Sequence, residues 1–203
     1  MRNYYFSEKT AARLMNSVLK GATRDFLKKS WIDSAGRHCA CDGFRAYRLN
    51  VPVPGVPDQD AAQGIDLNRV FPAFIDESKE LDLPPLADLR AMIQEDRRAK
   101  PKRGETISTL AGSNIYTFGL SDTGAQLPAV NLKYLADFML LFPDARAFYT
   151  DPAHPIIFRS QDGDGLLMPV RAENARIRRQ PPAAAQEDKT PAIGLHTFAA
   201  LYA

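Results

Sequence analysis

The densest group of chemically active side chains in the sequence is a run of cations at residues 97–103. It holds five basic residues in seven positions: Arg97, Arg98, Lys100, Lys102 and Arg103. Clustered cations can neutralise the phosphates of a nucleic-acid backbone, with an affinity that depends on salt and not on base sequence. A second cluster has the same chemistry: Arg171, Arg176, Arg178 and Arg179. An alternative interpretation stays open for both clusters: basic residues near the C-terminal end of a helix complement the helix dipole without binding any ligand.

A metal site is the next chemistry that the residue types suggest. Residues 38–42 place four potential ligands together: His38, Cys39, Cys41 and Asp42. On a strand, however, Cys39 and Cys41 point to one face and His38 to the other. The sequence has no second Cys/His cluster to complete a tetrahedral site. The turn at residues 161–165 also lacks the later acidic ligand of a calcium loop. We therefore predict a buried strand, a plain turn and no metal.

Catalytic motifs are the third class. The sequence contains no Gly-rich phosphate loop, no nucleophile elbow and no H-E-x-x-H motif. His154 lies between prolines, and neither it nor His196 has an evident catalytic partner. We predict no catalytic residues, no enzyme activity and no cofactor.

Composition sets the broad class of protein. The 203 residues are 45% hydrophobic and 25% charged, which is ordinary for a globular chain, and the formal net charge is only +2. Charge can therefore indicate a partner only where it is clustered. There is no apolar run of membrane-spanning length and no signal-peptide core at the start. Cys39 and Cys41 are too close to suggest a secreted disulfide framework, so a cytoplasmic location without membrane contact is expected.

The first element predicted to position these groups is a helix that starts at the N-cap Ser7 and ends at Gly21, after a short strand at 4–6. Its buried stripe recurs at helical spacing: Ala11, Leu14, Met15, Val18 and Leu19. Lys9, Arg13 and Lys20 lie off this stripe and are expected to face solvent or an anion. Three strands follow, at residues 26–33, 37–41 and 44–49, with turns at 34–36 and 42–43.

The middle of the chain is less regular. Residues 51–64 contain three prolines and two glycines and are predicted to be a linker or exposed excursion. A helix is predicted at 83–97, with Pro84 and Pro85 at its start, and strands at 107–110 and 115–120. A further amphipathic helix is predicted from Val130 to Phe142, followed by strands at 147–149, 155–159 and 166–171 with a hairpin turn at 161–165.

The stretch from 130 to 171 resembles the last half-domain of the bacterial DNA polymerase sliding clamp, the beta clamp. That family typically runs V-N-x-x-Y-L-x-D, a strand, D-P-x-x-P, a strand, a D-G turn and a final M-P-x-R. The matching residues are Val130, Asn131, Tyr134, Leu135, Asp137, Asp151, Pro152, Pro155, Asp162, Gly163, Met168, Pro169 and Arg171. Residues 1–50, with a helix, then Arg24-Asp25, then strands that end in D-G-x-R, resemble a first half-domain, although the family's T-D-G-H-R-L turn is here C-D-G-F-R-A. Residues 67–72 resemble the family's Y-x-R-V-I-P junction.

This resemblance implies an α+β, DNA-clamp-like fold, with helices packed on antiparallel sheets in pseudo-twofold β-α-β-β-β halves. We expect one clamp-like domain at 1–172: a first half at 1–50, a linker or insertion at 51–104 and a second half at 105–172. A basic, Pro/Ala-rich tail follows at 173–203. With one domain per chain, a closed ring would require a hexamer, and with one and a half domains a tetramer.

The resemblance also implies two binding surfaces. Clamp helices line the inner surface and carry the cations that face double-stranded DNA, which adds helix-one residues to the candidates: Lys9, Arg13, Lys20 and Arg24. Clamp partners insert a short linear motif into an apolar groove, whose counterparts here are Gly43, Phe44, Arg45, Ala46, Val70, Phe71, Pro72, Met168, Pro169, Val170 and Arg171. These residues would also suit ordinary strand core.

The function that follows is a non-catalytic, sliding-clamp-like protein. It would bind the DNA backbone, dock replication or repair proteins, or do both, and form a homo-oligomer. The alternative is a protein–protein interaction module of phage or mobile-element origin that does not bind DNA.

Overall fold

The computed structural model describes residues 7–72, 74–98, 114–121 and 124–170. These residues form three α-helices: α1 (Glu8–Gly21), α2 (Leu86–Arg98) and α3 (Leu132–Leu141). They also form ten strands: β1 (Ser30–Ile32), β2 (His38–Cys41), β3 (Arg45–Leu49), β4 (Asp58–Gln59), β5 (Glu80–Leu81), β6 (Ile115–Thr117), β7 (Ala129–Asn131), β8 (Arg146–Phe148), β9 (Ile156–Ser160) and β10 (Gly163–Leu167). The predicted strands at 4–6 and 107–110 lie outside the described residues.

Eight strands make one sheet in the order β4-β1-β2-β3-β10-β9-β8-β5. The antiparallel pair β3–β10 lies at its centre, in register from Arg45 opposite Leu167 to Leu49 opposite Gly163. The two sides of this pair are arranged alike. Outward from the centre, one side runs β3, β2, β1 and the other β10, β9, β8, and each set of three strands follows a helix in the sequence, α1 or α3. The sheet therefore has the pseudo-twofold arrangement that was predicted. Only β4 departs from the antiparallel pattern, since it runs parallel to β1.

Helix α1 forms as predicted because its caps and its apolar stripe agree. The Ser7 side chain accepts a hydrogen bond from the Thr10 N–H, which satisfies an otherwise unpaired donor at the first turn. The five residues of the predicted stripe are all buried against the sheet and α3. Burial of this stripe leaves the opposite side of α1, with its polar residues, toward solvent.

Helix α3 begins later than predicted. Val130 belongs to β7, where it is fully buried and pairs with Tyr116 of β6. Asn131 is the N-cap, because its side-chain oxygen accepts hydrogen bonds from the N–H groups of Lys133 and Tyr134. The β6–β7 hairpin thus supplies the strand that precedes α3, so the second half has the complete order β-α-β-β-β.

The face of the sheet that carries the helices, called here the helical face, holds the larger core. Phe138 of α3 stacks on Phe158 with ring centroids 4.4 Å apart and meets Tyr47 edge-on at 4.9 Å. Gly165 lies beneath Phe138, and a Cβ on it would be 2.1 Å from the Phe138 ring. The predicted turn at 161–165 is therefore shorter, and Gly163–Leu167 is strand. Gly165 is thus not the turn residue that the sequence pattern predicts, but a strand residue that makes room for an aromatic ring.

The opposite face, called here the outer face, carries a second apolar cluster. Residues 65–72 fold over it and bury Leu67 and Phe71. Trp31 packs beneath them, in van der Waals contact with Gly64. Val53 and Val56, earlier in the chain, are instead buried in the core of the helical face. The segment predicted as a linker or excursion is therefore attached to the sheet, partly through β4.

Several predicted strands and helices begin or end at other residues in the structure. The strand predicted at 26–33 is a 3₁₀ turn at Asp25–Leu27 followed by the shorter β1. The closing strand ends at Leu167, and α2 begins at Leu86, directly after the two prolines. Within the described residues, no helix is both long and apolar enough to cross a membrane.

Candidate nucleic-acid interface and docking surface

The three cations predicted on α1 lie together on its solvent side. Lys9, Arg13 and Lys20 are all exposed, and at 3.6 residues per turn they fall opposite the buried stripe. Among the described residues, none of the three is in a salt bridge. Arg24 is also exposed, just beyond the end of the helix. Lys9, Arg13 and Lys20, called here the α1 cation stripe, therefore present three positive charges on one side of the helix.

Asp137 of α3 interacts with two cations: it pairs with the buried Arg45 and lies within the electrostatic influence of Arg13 in the α1 cation stripe. Its carboxylate accepts a hydrogen bond of 2.6 Å from Nη1 of Arg45. Burial raises the pKa of Asp137, while the positive charges of Arg45, Arg13 and Lys133 oppose that rise. Since Asp137 is directly paired with Arg45, it neutralises a buried cation and leaves the α1 cation stripe with its positive field.

The second predicted basic group is only partly described. Arg97 and Arg98 are exposed in the last turn of α2, which packs beside α3 in one helical layer with α1. Exposed Asp88 and Glu95 on the same helix offset their charge. Lys100, Lys102 and Arg103 lie outside the described residues. Among the predicted DNA contacts that the structure describes, those on α1 therefore carry more positive charge that is not offset by acids of the same helix.

Arg45, predicted in the peptide groove, points to the helical face. It is buried, donates to Asp42 and Asp137, and lies over the Tyr134 ring with 4.1 Å from Cζ to the centroid. Asp42 also accepts from the N–H groups of Phe44 and Arg45, which closes the D-G turn. Arg45 thus fixes the shape of this turn, and a ligand on the outer face cannot reach its guanidinium.

Phe44 and Met168 are the exposed part of the predicted groove at the sheet. The Met168 N–H donates to the Phe44 carbonyl oxygen at 2.8 Å, which continues the β3–β10 register by one residue pair. Because neighbouring residues on a strand alternate, both side chains lie on the outer face, beyond the buried pair Ala46 and Leu166. Phe44 is 58% exposed and Met168 38%. They extend the outer cluster into solvent.

The predicted junction residues lie on the same face. Phe71 is buried over Arg48, with 4.2 Å from the guanidinium carbon to the ring centroid, whereas Val70 beside it is 46% exposed. Arg48 also donates to Asn68 and to Asp164, so it ties this segment to β3 and β10. Pro72 is half-buried. Phe44, Val70 and Met168 are three of the six large hydrophobic residues that are exposed in the described chain.

The remaining groove residues differ in accessibility. Gly43 is exposed at the turn, Ala46 is buried, and Pro169 and Val170 are half-buried. The Val170 N–H donates to the Ala129 carbonyl oxygen, so residues 168–170 run from β10 toward β7. Arg171 lies outside the described residues. The structure thus brings the turn and residues 168–170 together, with the junction on the same face.

The cluster at residues 38–42 has a structural explanation. The Val53 N–H donates to Nδ1 of His38 at 2.8 Å, which leaves Nε2–H to donate to Ser30 Oγ, and that hydroxyl donates to the Pro57 carbonyl oxygen. Cys39 and Cys41 lie in the outer cluster, and burial raises the pKa of the Cys39 thiol to about 12. These hydrogen bonds could not be predicted from the sequence, because they join residues 8 to 27 positions apart.

Comparisons with known proteins agree with this architecture. No protein-family profile and no curated protein sequence matches the chain. A solved structure of the Caulobacter crescentus DNA polymerase sliding clamp matches it at a TM-score of 0.51 and 16% identity, covering 84% of this chain and 67% of that one. Another structure of the C. crescentus beta sliding clamp gives 0.51 and 15%, covering 84% and 68%. The chain thus spans about two thirds of these clamps' length. It has a clamp-like α+β fold.

Proposed function

We propose that this chain is a non-catalytic, clamp-like protein that holds the backbone of double-stranded DNA through the α1 cation stripe. The same molecule docks replication or repair proteins through the apolar surface at Phe44 and Met168, called here the outer patch, with Val70 exposed on the same face. The fold supports this proposal because it resembles solved DNA polymerase sliding clamps.

The observation that carries the DNA part is the position of the cations. A helix that buries one face against the sheet must expose the other, and here that other face bears Lys9, Arg13 and Lys20 with only Glu8 as an exposed acid in the same helix. Such a row binds phosphates without reading bases. It acts best where several contacts add, as when α1 lies along a groove or backbone.

Salt-dependent retention on duplex DNA tests this part. The triple variant K9E/R13E/K20E is compared with wild type and with K28E/K29E/R69E, which makes the same charge change at exposed residues away from α1. We expect wild-type affinity to fall steeply with salt and the α1 variant to lose about 0.9 in the log–log salt slope per phosphate contact removed. If both variants lose the same DNA affinity and the same salt slope, the loss is due to net charge alone, and the assignment of DNA binding to α1 is wrong.

A second candidate function is supported by the outer patch: an interaction module that binds only proteins. Exposed Phe, Met and Val around a buried apolar cluster suit an adaptable peptide contact. This second function is favoured if the wild-type protein is not retained on duplex DNA even at low salt. The replacement F44S/M168S should then abolish partner binding, while K9E/R13E/K20E leaves it unchanged.

A further inference from the structure

We propose that residues 194–203 of this same chain occupy the outer patch and thereby compete with an incoming partner. The proposal rests on the docking role of that patch given above. It assigns the patch an internal ligand, so that partner access is regulated by the chain itself.

The patch has the character of an incomplete core. Phe44 and Met168 continue the outer cluster directly from the buried Ala46 and Leu166, and their backbones are hydrogen-bonded to each other. Apolar surface that continues a core gains most from being covered, since water is removed from both partners. A contiguous patch of this kind favours an apolar ligand.

The segment 194–203 has the matching composition. It reads GLHTFAALYA and contains no Asp, Glu, Lys or Arg. Its large apolar residues recur at the spacing i, i+3, i+6 and i+7, which is typical of one amphipathic face: Leu195, Phe198, Leu201 and Tyr202. The preceding residues 171–193 are rich in charge, Pro and Ala, which suits a tether and not a core.

The tether begins at the patch itself. The described chain ends at Val170, two residues after Met168. A random-coil chain as long as residues 171–193 has a root-mean-square span of roughly 25 Å, which is short enough to bring its far end back to the surface from which it departs. Such a tether holds its end at a local concentration on the order of millimolar. A weak apolar contact is therefore enough to fill the patch within one chain.

Methyl NMR on the full-length chain tests this contact directly. The methionine methyls are labelled with ¹³C, and a nitroxide is attached at A203C; the native Cys39 and Cys41 are buried and do not compete for the label. We expect the label to remove most of the Met168 methyl signal, and more than it removes from Met15, which is buried on the helical face.

Two full-length variants decide what the signal loss means. F198D/L201D should restore the Met168 signal, whereas Q186D/T190D adds the same charge within the tether and should leave the loss unchanged. A Met168 signal that is equally strong with the native segment and with F198D/L201D would overturn the proposal.

A mixed sample separates this occupant from a second copy. Nitroxide-bearing chains without ¹³C are combined with ¹³C-labelled chains that carry no nitroxide. Equal loss of Met168 signal in this mixture would show exchange between copies and overturn the intramolecular contact. The NMR sample contains no DNA. A negative NMR result would therefore not affect the proposal that α1 binds DNA, and a lack of DNA retention would not affect the proposed contact between residues 194–203 and the outer patch.

Discussion

Two arginines on β3 show how single residues join the layers of this molecule. Arg45 and Arg48 are three apart, so they point to opposite faces of the strand. Arg45 bonds to Asp42 and Asp137 on the helical face, and Arg48 bonds to Asp164 and Asn68 on the outer face. Each guanidinium also lies over an aromatic ring. Salt bridges on both faces of the sheet therefore hold β3 in place.

Replacing Arg45 with Met should destabilise the fold strongly, because Asp42 would remain buried without its cation. A broken buried pair typically costs about 3–5 kcal/mol in the free energy of unfolding. Urea denaturation measures this loss. R146M is the matched control, since Arg146 pairs with Glu80 at the surface, and it should lose far less. Similar losses in both variants would contradict the importance assigned to burial.

His38 should make stability depend on pH. Its Nδ1 accepts from Val53, so protonation would place a second donor against that N–H. Burial lowers the pKa of His38, while Asp58 on β4 opposes this change, and the ring also faces Ser30 on β1. The unfolded chain therefore binds the proton first. Stability is complete above about pH 6.5 and falls as the pH drops from there toward the lower folded-state pKa.

This pH effect is measured as the free energy of unfolding between about pH 7.5 and about pH 5.5. H38Q should be less stable than wild type and should lose the pH dependence over this interval. H154Q changes an exposed histidine and should keep the wild-type slope. An unchanged slope in H38Q would assign the effect to other groups.

At the scale of the element, β10 shows why glycine can belong inside a strand. The glycine at 163 has φ 152°, and a Cβ there would be 2.3 Å from the Arg48 carbonyl oxygen. Gly165 is constrained by the ring of Phe138 instead. Because these two positions have no side chain, β3 and α3 can approach β10 closely.

G165A should therefore destabilise the protein although alanine is an ordinary strand residue. Overpacking of this kind typically costs about 1–3 kcal/mol. G21A is the control, because a Cβ at position 21 would meet nothing nearer than 3.5 Å. Thermal and urea unfolding of both variants measure the difference. If G165A is as stable as G21A, Phe138 can move aside and the close packing is not required.

At the scale of the whole molecule, strands from both predicted halves share one sheet. The domain boundaries proposed from the sequence, 1–172 and 173–203, stay a prediction, because residues 171–203 lie outside the described part. So does assembly into a ring. Under the proposed function the helices face DNA, and the number of chains in the assembly then decides whether it can encircle a duplex.

Light scattering at several concentrations, with and without duplex DNA, tests encirclement. A hexamer or tetramer that persists on dilution is the expected result for a closed ring. A monomer whose mass DNA does not change would exclude encirclement, and the outer patch would become the main surface to mutate.

The sequence by itself determined the features that depend on neighbouring residues. The stripe and caps of α1, the strands β2, β3 and β9 and the D-G turn at 42–43 follow from periodicity and local hydrogen bonds, which a short window contains. The order of these elements was enough to predict the clamp-like fold. The α1 cation stripe also follows, because a helix that buries one face must expose the other.

Only the tertiary structure decided the features that depend on distant residues. Val130 is strand because β6 pairs with it, and Gly165 is strand because it pairs with Tyr47 and Phe158. Residues 65–72 pack on the outer face because Phe71 lies over Arg48 and Leu67 joins the outer cluster. The outer patch arises in the same way, since the β3–β10 register places Phe44 beside Met168. Local propensity carries no information about which distant segment will cover a residue, and long-range packing overrides it.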